Sequence, residues 1–248
     1  MSYGIFARYY DLFTKNVNYK AYAEKVDSIL TSLASKRGSL VDLACGTCSL
    51  GLRLSKMGYS VIGVDLSCEM LSRASKKVSV SGERIMLLHQ DMCKLRLPKR
   101  VDAVVCSLDA LNHLSGLEAV KEAFCAVRKN LSPDGVFVFD MNTPYKHKSV
   151  LSDNCFVFDS PRAYLGWQND YNEADCSVNI TLDFFIPSGS IHKRYTENFK
   201  EIAYEQEVIE KALKECGFEL VNCFDDISDN KPCETTQRIL YVAKPIKE

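Results

Sequence analysis

The stretch VDLACGTCSLG, Val41 to Gly51, places Cys45 and Cys48 around a glycine and a threonine. A Cys-Gly-Thr-Cys unit at a helix start can act as a redox dithiol, because the helix dipole favours an exposed thiolate there. The same residues, Gly46 to Gly51, also read as a dinucleotide fingerprint whose middle glycine is replaced by Cys48. A third reading makes the stretch the nucleoside-side loop of a group-transfer enzyme. All three put a turn between a buried strand and a helix N-terminus, so the rest of the chain has to choose.

Three acids stand at or just beyond the ends of successive apolar runs: Asp42 in the first, Asp65 after the second, Asp91 after the third. An acid ending the second strand can accept both ribose hydroxyl hydrogen bonds. A carboxylate after the third can accept from an adenine amino group. Taken singly, Asp65 and Asp91 read equally well as helix caps; the ordered series favours a nucleoside site. No metal is expected, since there is one Cys-x-x-Cys pair and His89, His113, His147 and His192 show no ligand spacing.

The elements that must hold these acids follow from periodicity. Ala21, Tyr22, Val26, Ile29, Leu30 and Leu33 recur at helical spacing from Asn18 to about Ser35, and Lys36-Arg37-Gly38 closes that helix. SLVDLA, YSVIGVD, RIMLLHQ, VDAVVCS and DGVFVFDMN read as strands. Helices SLGLRLSKMG, CEMLSRASKKV (capped by Ser67) and LEAVKEAFCAVRKNL alternate with them. After Pro144 the texture turns aromatic and β-branched, with a hairpin signal at Pro187-Ser188-Gly189. Helix YEQEVIEKALKECG and strands FELVNCF and QRILYVAK then resume the first pattern. The expected fold is α/β: a Rossmann-like, seven-stranded, mostly parallel sheet with helices on both faces and an inserted antiparallel β subdomain. The expected division is residues 1–38 as an N-terminal helical lid, 39–148 with 203–248 as the α/β domain, and 149–202 as the insertion.

Bulk properties fit this frame. The 248 residues are 46% hydrophobic and 25% charged, ordinary values for a globular chain. A net charge of -1 gives no global basic field, so no nucleic acid partner is expected; Lys76-Lys77 and Lys146-His147-Lys148 are small clusters. No run approaches the roughly 18 apolar residues of a membrane span, so no membrane partner is expected. The start MSYGIFARYYDLF does not read as a signal peptide, and the eleven cysteines are odd in number and scattered. A reduced, cytoplasmic protein without a disulfide framework is expected.

In order along the chain, LVDLACGT, VIGVDLSCEML, HQDM, VDAVVCSLDALNHL and LSPDGVFVFDMNTPYK resemble the class I S-adenosylmethionine-dependent methyltransferases. The likeness is nearest to a bacterial small-molecule methyltransferase-like group that opens with a YD.L segment. It extends into the insertion through WQNDY and RYTEN. The resemblance implies S-adenosylmethionine as cofactor, bordered by Tyr10, Tyr19, Tyr22, Asp42, Ala44, Cys45, Gly46, Asp65, Leu66, Met70, Asp91, Met92 and Ser107. It implies a small-molecule N or O acceptor near Asn112, Trp167 and Arg194, with His113, Tyr145 and Tyr171 as candidate catalytic groups and the insertion as an acceptor lid. Asp109 and Glu197 are further candidates; Arg194 and Glu197 also read as a cross-sheet ion pair. The family usually has glycine at positions 44 and 48. Cys48 is expected to put its sulfur where backbone would approach the cofactor, which a pyrophosphate could hardly accept. A non-catalytic S-adenosylmethionine-binding module and a nicotinamide or dithiol oxidoreductase are the alternatives.

Overall fold

The computed structural model describes residues 4–33 and 37–247, so Tyr3 and the Lys36 end of the first long helix lie outside the described residues. Strands β1 (Ser39–Leu43), β2 (Ser60–Asp65), β3 (Met86–His89), β4 (Val101–Cys106) and β5 (Leu131–Asn142) are parallel. β10 (Phe218–Asp225) and β11 (Arg238–Pro245) complete a sheet of order β10-β11-β5-β4-β1-β2-β3, in which only β11 runs against its neighbours. A second, four-stranded antiparallel sheet has the order β6 (Cys155–Ser160), β7 (Ala163–Asn172), β8 (Ser177–Ser188), β9 (Ile191–Ile202). The Rossmann-like sheet and the separate antiparallel sheet are as expected from sequence, although β6 escaped that reading.

Two-residue alternation sorts the strands between two cores. Val104, Phe137, Phe139 and Tyr241 face α5 (Leu117–Asn130) and α6 (Gln206–Glu215). Phe139 stacks on Phe137 at 4.7 Å and on Tyr241 at 4.9 Å. Leu40, Ala103, Val105, Val138 and Leu240 face α2 (Tyr19–Leu33) and α3 (Ser49–Lys56) on the other side. Helix α4 (Cys68–Ser81) begins where expected, with the Ser67 hydroxyl accepting from Met70 N at 3.2 Å.

Helix α1 (Gly4–Phe13) lies across the second sheet, with Phe6 against Phe184 and Phe199 and Phe13 against Phe158. Of the two helices in residues 1–38, α2 is thus a layer of the main core and α1 alone rests on the second sheet. Asp11 of α1 accepts from Thr47 Oγ1 at 2.7 Å and Lys77 Nζ at 3.0 Å, which ties α1 to the loop after β1. The two sheets meet at Asn112, fully buried: its Nδ2 donates to the Ile202 carbonyl at 2.9 Å and its Oδ1 accepts from Asn142 N at 2.9 Å.

Candidate cofactor and acceptor cavity

A cavity of about 660 Å³ opens at the carboxyl ends of β1, β2 and β4, between the main sheet, α1 and the second sheet. Every residue expected to border the cofactor lines it: Tyr10, Tyr19, Tyr22, Asp42, Ala44, Cys45, Gly46, Asp65, Leu66, Met70, Asp91, Met92 and Ser107.

The loop after β1 has left-handed backbone at Ala44 (φ 56), Gly46 (φ 52) and Cys48 (φ 61). This corrects the reading of Cys48. Its side chain is fully buried with Cys45 and Ala74 and is absent from the cavity wall. Glycine suits both positions 44 and 48 because of φ, and at 48 no ligand approaches. Gly51 has a different reason: an added Cβ would lie 2.7 Å from Asp42 Oδ2 and 2.8 Å from Cys48 Sγ. Relief of the left-handed strain makes Ala44→Gly the informative change. It should raise stability by about 0.5–1 kcal/mol, read as a higher urea midpoint at unchanged m. A lower midpoint would mean that the methyl's packing outweighs the strain.

The same geometry removes the dithiol reading. Cys45 is 8% exposed, and its thiol is pushed up by its contact with Cys48 and by burial, the opposite of a reactive thiolate.

The three acids occupy distinct roles. Burial pushes Asp42 up to about 7, although its Oδ2 accepts from Gly51 N at 2.9 Å. Asp65 accepts from Gly46 N and from Ser67 N, both at 2.8 Å, so one carboxylate joins the loop after β1 to the start of α4. Burial raises it too. Asp91 caps the turn Met92–Lys94 through Cys93 N at 2.9 Å, as a capping acid does, while lining the cavity.

At the end of β4, Leu108 (φ 59) and Asp109 (φ 55) are both left-handed. Asp140, fully buried on β5, holds them there: its oxygens accept from Leu108 N at 2.8 Å and Asp109 N at 2.6 Å. Asp140 also accepts from the Tyr22 hydroxyl, and Arg238 of β11 ion-pairs with both Asp140 and Asp109.

Beyond this network the wall belongs to the second sheet and its approach: Trp167, Ile180, Leu182 and Phe199 with Phe6, Phe13 and Phe158. Polar groups collect at one end. Asp109, His113 and Glu201 bring ligand atoms within 4.8 Å of one another, with Asn142, Lys146 and Arg238 beside them on the lining. The turn after β4 supplies Asp109 and His113 and β9 supplies Glu201, a meeting that sequence spacing hid. Arg238 already pairs with Asp109, so a metal there would compete with a fixed cation. Glu201 is held below the usual carboxylate range: burial opposes this, but His147, His113 and Asn142 outweigh it.

Several expected acceptor residues lie elsewhere. Asn112 is committed to the sheet junction and does not reach the cavity. Arg194 is on the outer face, with Nε and Nη2 on Asp183 at 2.9 and 2.6 Å. Its expected partner Glu197 faces inward, accepting from Ile5 N at 2.6 Å and Phe6 N at 3.2 Å to cap α1. Residues three apart on a strand point to opposite faces, so the Arg194–Glu197 pair cannot form. Tyr145 leads the turn Lys146–Leu151, and Tyr171 reaches Cys176 Sγ at 3.7 Å; neither lines the cavity. Trp167, His113 and Asp109 do. Lys146, Glu201 and Arg238 carry the polar end, with Asp140 behind Arg238; of these the sequence shows only Lys146, and only as part of a small basic cluster.

The donor set fits S-adenosylmethionine. Lining acids (Asp42, Asp65, Asp91, Asp109, Glu201, Asp226) outnumber lining bases (Lys146, Arg238), which suits a sulfonium. At Gly46 an added Cβ would meet nothing within 4 Å, so that wall leaves room for a ligand. Among the described residues, no helix is long and apolar enough to cross a membrane.

Known proteins agree with this geometry. A sequence profile described as a methyltransferase domain matches residues 40–135. YqeM of Bacillus subtilis (strain 168), named as a methyltransferase, is 33% identical over 248 residues, covering 100% of this chain and 98% of its own. A dTDP-3-amino-3,6-dideoxy-alpha-D-glucopyranose N,N-dimethyltransferase of Streptomyces fradiae is 33% identical over 145 residues, 55% of this chain and 53% of its own. The crystal structure of an S-adenosylmethionine-dependent methyltransferase from Clostridium acetobutylicum ATCC 824 superposes with a TM-score of 0.88 at 33% identity, over 96% of both chains. Likeness along the whole chain, together with strand-end acids lining one cavity, means that this protein belongs to the class I S-adenosylmethionine-dependent methyltransferases.

Proposed function

We propose that the chain methylates the nitrogen of a small-molecule amine. The acidic lining carries this reading: a cavity with more carboxylates than cations favours an acceptor that arrives as an ammonium and disfavours forming an alkoxide. The amino-sugar N,N-dimethyltransferase similarity supports it. S-adenosylmethionine supplies the methyl group on a sulfonium that needs no further activation. The chain's own residues hold, align and dry the site. Asp65 and Asp91 hold the nucleoside, Tyr10, Tyr19 and Tyr22 border the methionine side, and His113 faces the acceptor. The second sheet, within residues 149–202, is the acceptor lid, and α1 straps it to the nucleotide-side loop.

Paired amines and alcohols of the same skeleton test the reading. S-adenosylhomocysteine should form with amines and not with their alcohols; turnover confined to alcohols would overturn it. No turnover across a broad metabolite pool, with S-adenosylmethionine bound, would favour a non-catalytic module.

Proton linkage gives an independent check. Burial pushes Asp42 up to about 7, and a cationic ligand in the same cavity must lower that value. Binding should therefore release protons near neutral pH, and affinity should rise with pH up to about 7 and then level. Calorimetry in two buffers of different ionisation enthalpy reads the proton count, and Asp42→Asn should abolish it. Proton uptake instead would place the positive charge away from Asp42.

A further inference from the structure

We propose that the acceptor amine carries a compact, apolar, ring-sized body, as an arylalkylamine does, which lies against the second sheet and α1 while its nitrogen sits at the acidic end. The inference rests on the N-methyltransferase reading above and adds to it the part of the acceptor that is not methylated. Residues 149–202 give the cavity wall Leu151, Phe158, Trp167, Ile180, Leu182 and Phe199, and a single charged side chain, Glu201. Glu201 takes the Asn142 amide at 2.9 Å. The indole N–H of Trp167 is the one side-chain donor in that set, and it is spent on Asn169 Oδ1 at 2.6 Å. From the α1 side, the hydroxyl of Thr14 beside Phe13 is spent on the Tyr10 carbonyl at 2.9 Å. A sugar-like body placed here would bury hydroxyls with no free side chain to pair them.

Two-residue alternation sends the charge of this sheet the other way: Asp183, Arg194 and Thr196 bond one another on its outer face. Facing inward is not the same as filling the core. Phe184, on the inner face, is fully buried, whereas Phe158, Trp167 and, from α1, Phe6 and Phe13 are only half-buried on the lining. These rings make one surface. Phe13 meets Phe158 edge-on at 5.9 Å, and Phe158 lies nearly parallel to Trp167 with centroids 6.3 Å apart. Apolar surface left open on a cavity wall is what an apolar ligand covers.

The lining bases, Lys146 and Arg238, both stand at the polar end, and Arg238 is paired with Asp109. The aromatic wall therefore offers no cation to a phosphate or carboxylate on the acceptor body. The cavity, about 660 Å³, must also seat the cofactor, so the body is compact.

Trp167 is the chain's single tryptophan, so its emission reports on this wall. The full chain, saturated with S-adenosylhomocysteine, is titrated with 2-phenylethylamine, 2-cyclohexylethylamine and glucosamine. The two ring amines should change the emission saturably, at concentrations about 10²-fold or more below glucosamine, the discrimination that one hydroxyl brings in an apolar pocket. Glucosamine or a nucleotide-linked amino sugar acting at equal or lower concentration would overturn the proposal, as would ring amines that leave the emission unchanged. Phe158→Ala should raise the half-saturating concentration of 2-phenylethylamine about tenfold or more while the affinity for S-adenosylhomocysteine holds. Equal loss of both would make that ring a prop of the lid and overturn its place in the acceptor wall; the wild-type titration decides if the variant does not fold. Turnover separates this inference from the reading beneath it. Methylation of 2-phenylethanol in preference to 2-phenylethylamine would sink the amine reading and leave the apolar body standing. Glucosamine methylated ahead of 2-phenylethylamine would keep the amine reading and sink the apolar body.

Discussion

Asp140→Ala should destabilise the fold by about 3–5 kcal/mol, the range for breaking a buried ion pair from one side. Arg238 would keep Asp109, so its charge is not wholly orphaned. The backbone decides the size of the effect. Leu108 N and Asp109 N both end on Asp140, and both residues are left-handed without being glycine. Such conformations cost about 1–3 kcal/mol each and persist only where neighbours enforce them. Removing the carboxylate strands two amides at about 1–3 kcal/mol apiece, partly offset by relaxation of the turn. Asp140→Asn, which still offers one acceptor oxygen, should lose less, and Tyr22→Phe, which removes one hydrogen bond, about 1 kcal/mol. Urea midpoints at constant m order the three. A loss below about 1 kcal/mol for Asp140→Ala would mean the turn stands without its anchor.

That network also shows what a sequence can and cannot display. Asp42, Asp65 and Asp91 are legible because each sits at the end of an apolar run, and a parallel sheet brings strand ends together by construction. Asp140 sits inside such a run, at full burial, and only the fold reveals that two amides, a tyrosine and an arginine converge on it. The meeting of Glu201 with Lys146 is invisible for a related reason. They meet because Asn112 and Asn142 join the end of β5 to the end of β9, a contact with no local signature. The reading of Cys48 fails because side-chain size is written in the sequence and φ is not. The Arg194 error was avoidable, since period-two parity separates it from Glu197 and puts it beside Asp183.

Asp65→Ala should weaken S-adenosylhomocysteine binding by about 1–3 kcal/mol, roughly fivefold to 150-fold, the scale of hydrogen bonds to a charged acceptor. Each Asp65 oxygen already takes one backbone N–H, from Gly46 or from Ser67. A carboxylate can accept about four hydrogen bonds, so each oxygen has a site left for a hydroxyl in the cavity. Alanine therefore removes two things at once: the acceptors facing the ligand, and the link between the loop after β1 and the start of α4. Asp65→Asn separates them, because its carbonyl oxygen can retain one backbone bond while the charge is lost. If ligand contact dominates, Asn should lose most of the affinity that Ala loses while keeping more of the stability. If the loop link dominates, affinity should follow stability through both variants. Asp91→Ala should cost less affinity than Asp65→Ala, because Asp91 secures a single turn and is less buried. Calorimetric affinities and urea midpoints on the same preparations decide between these outcomes, and an Asp65→Ala chain that binds as tightly as the parent would move the ribose away from β2 altogether.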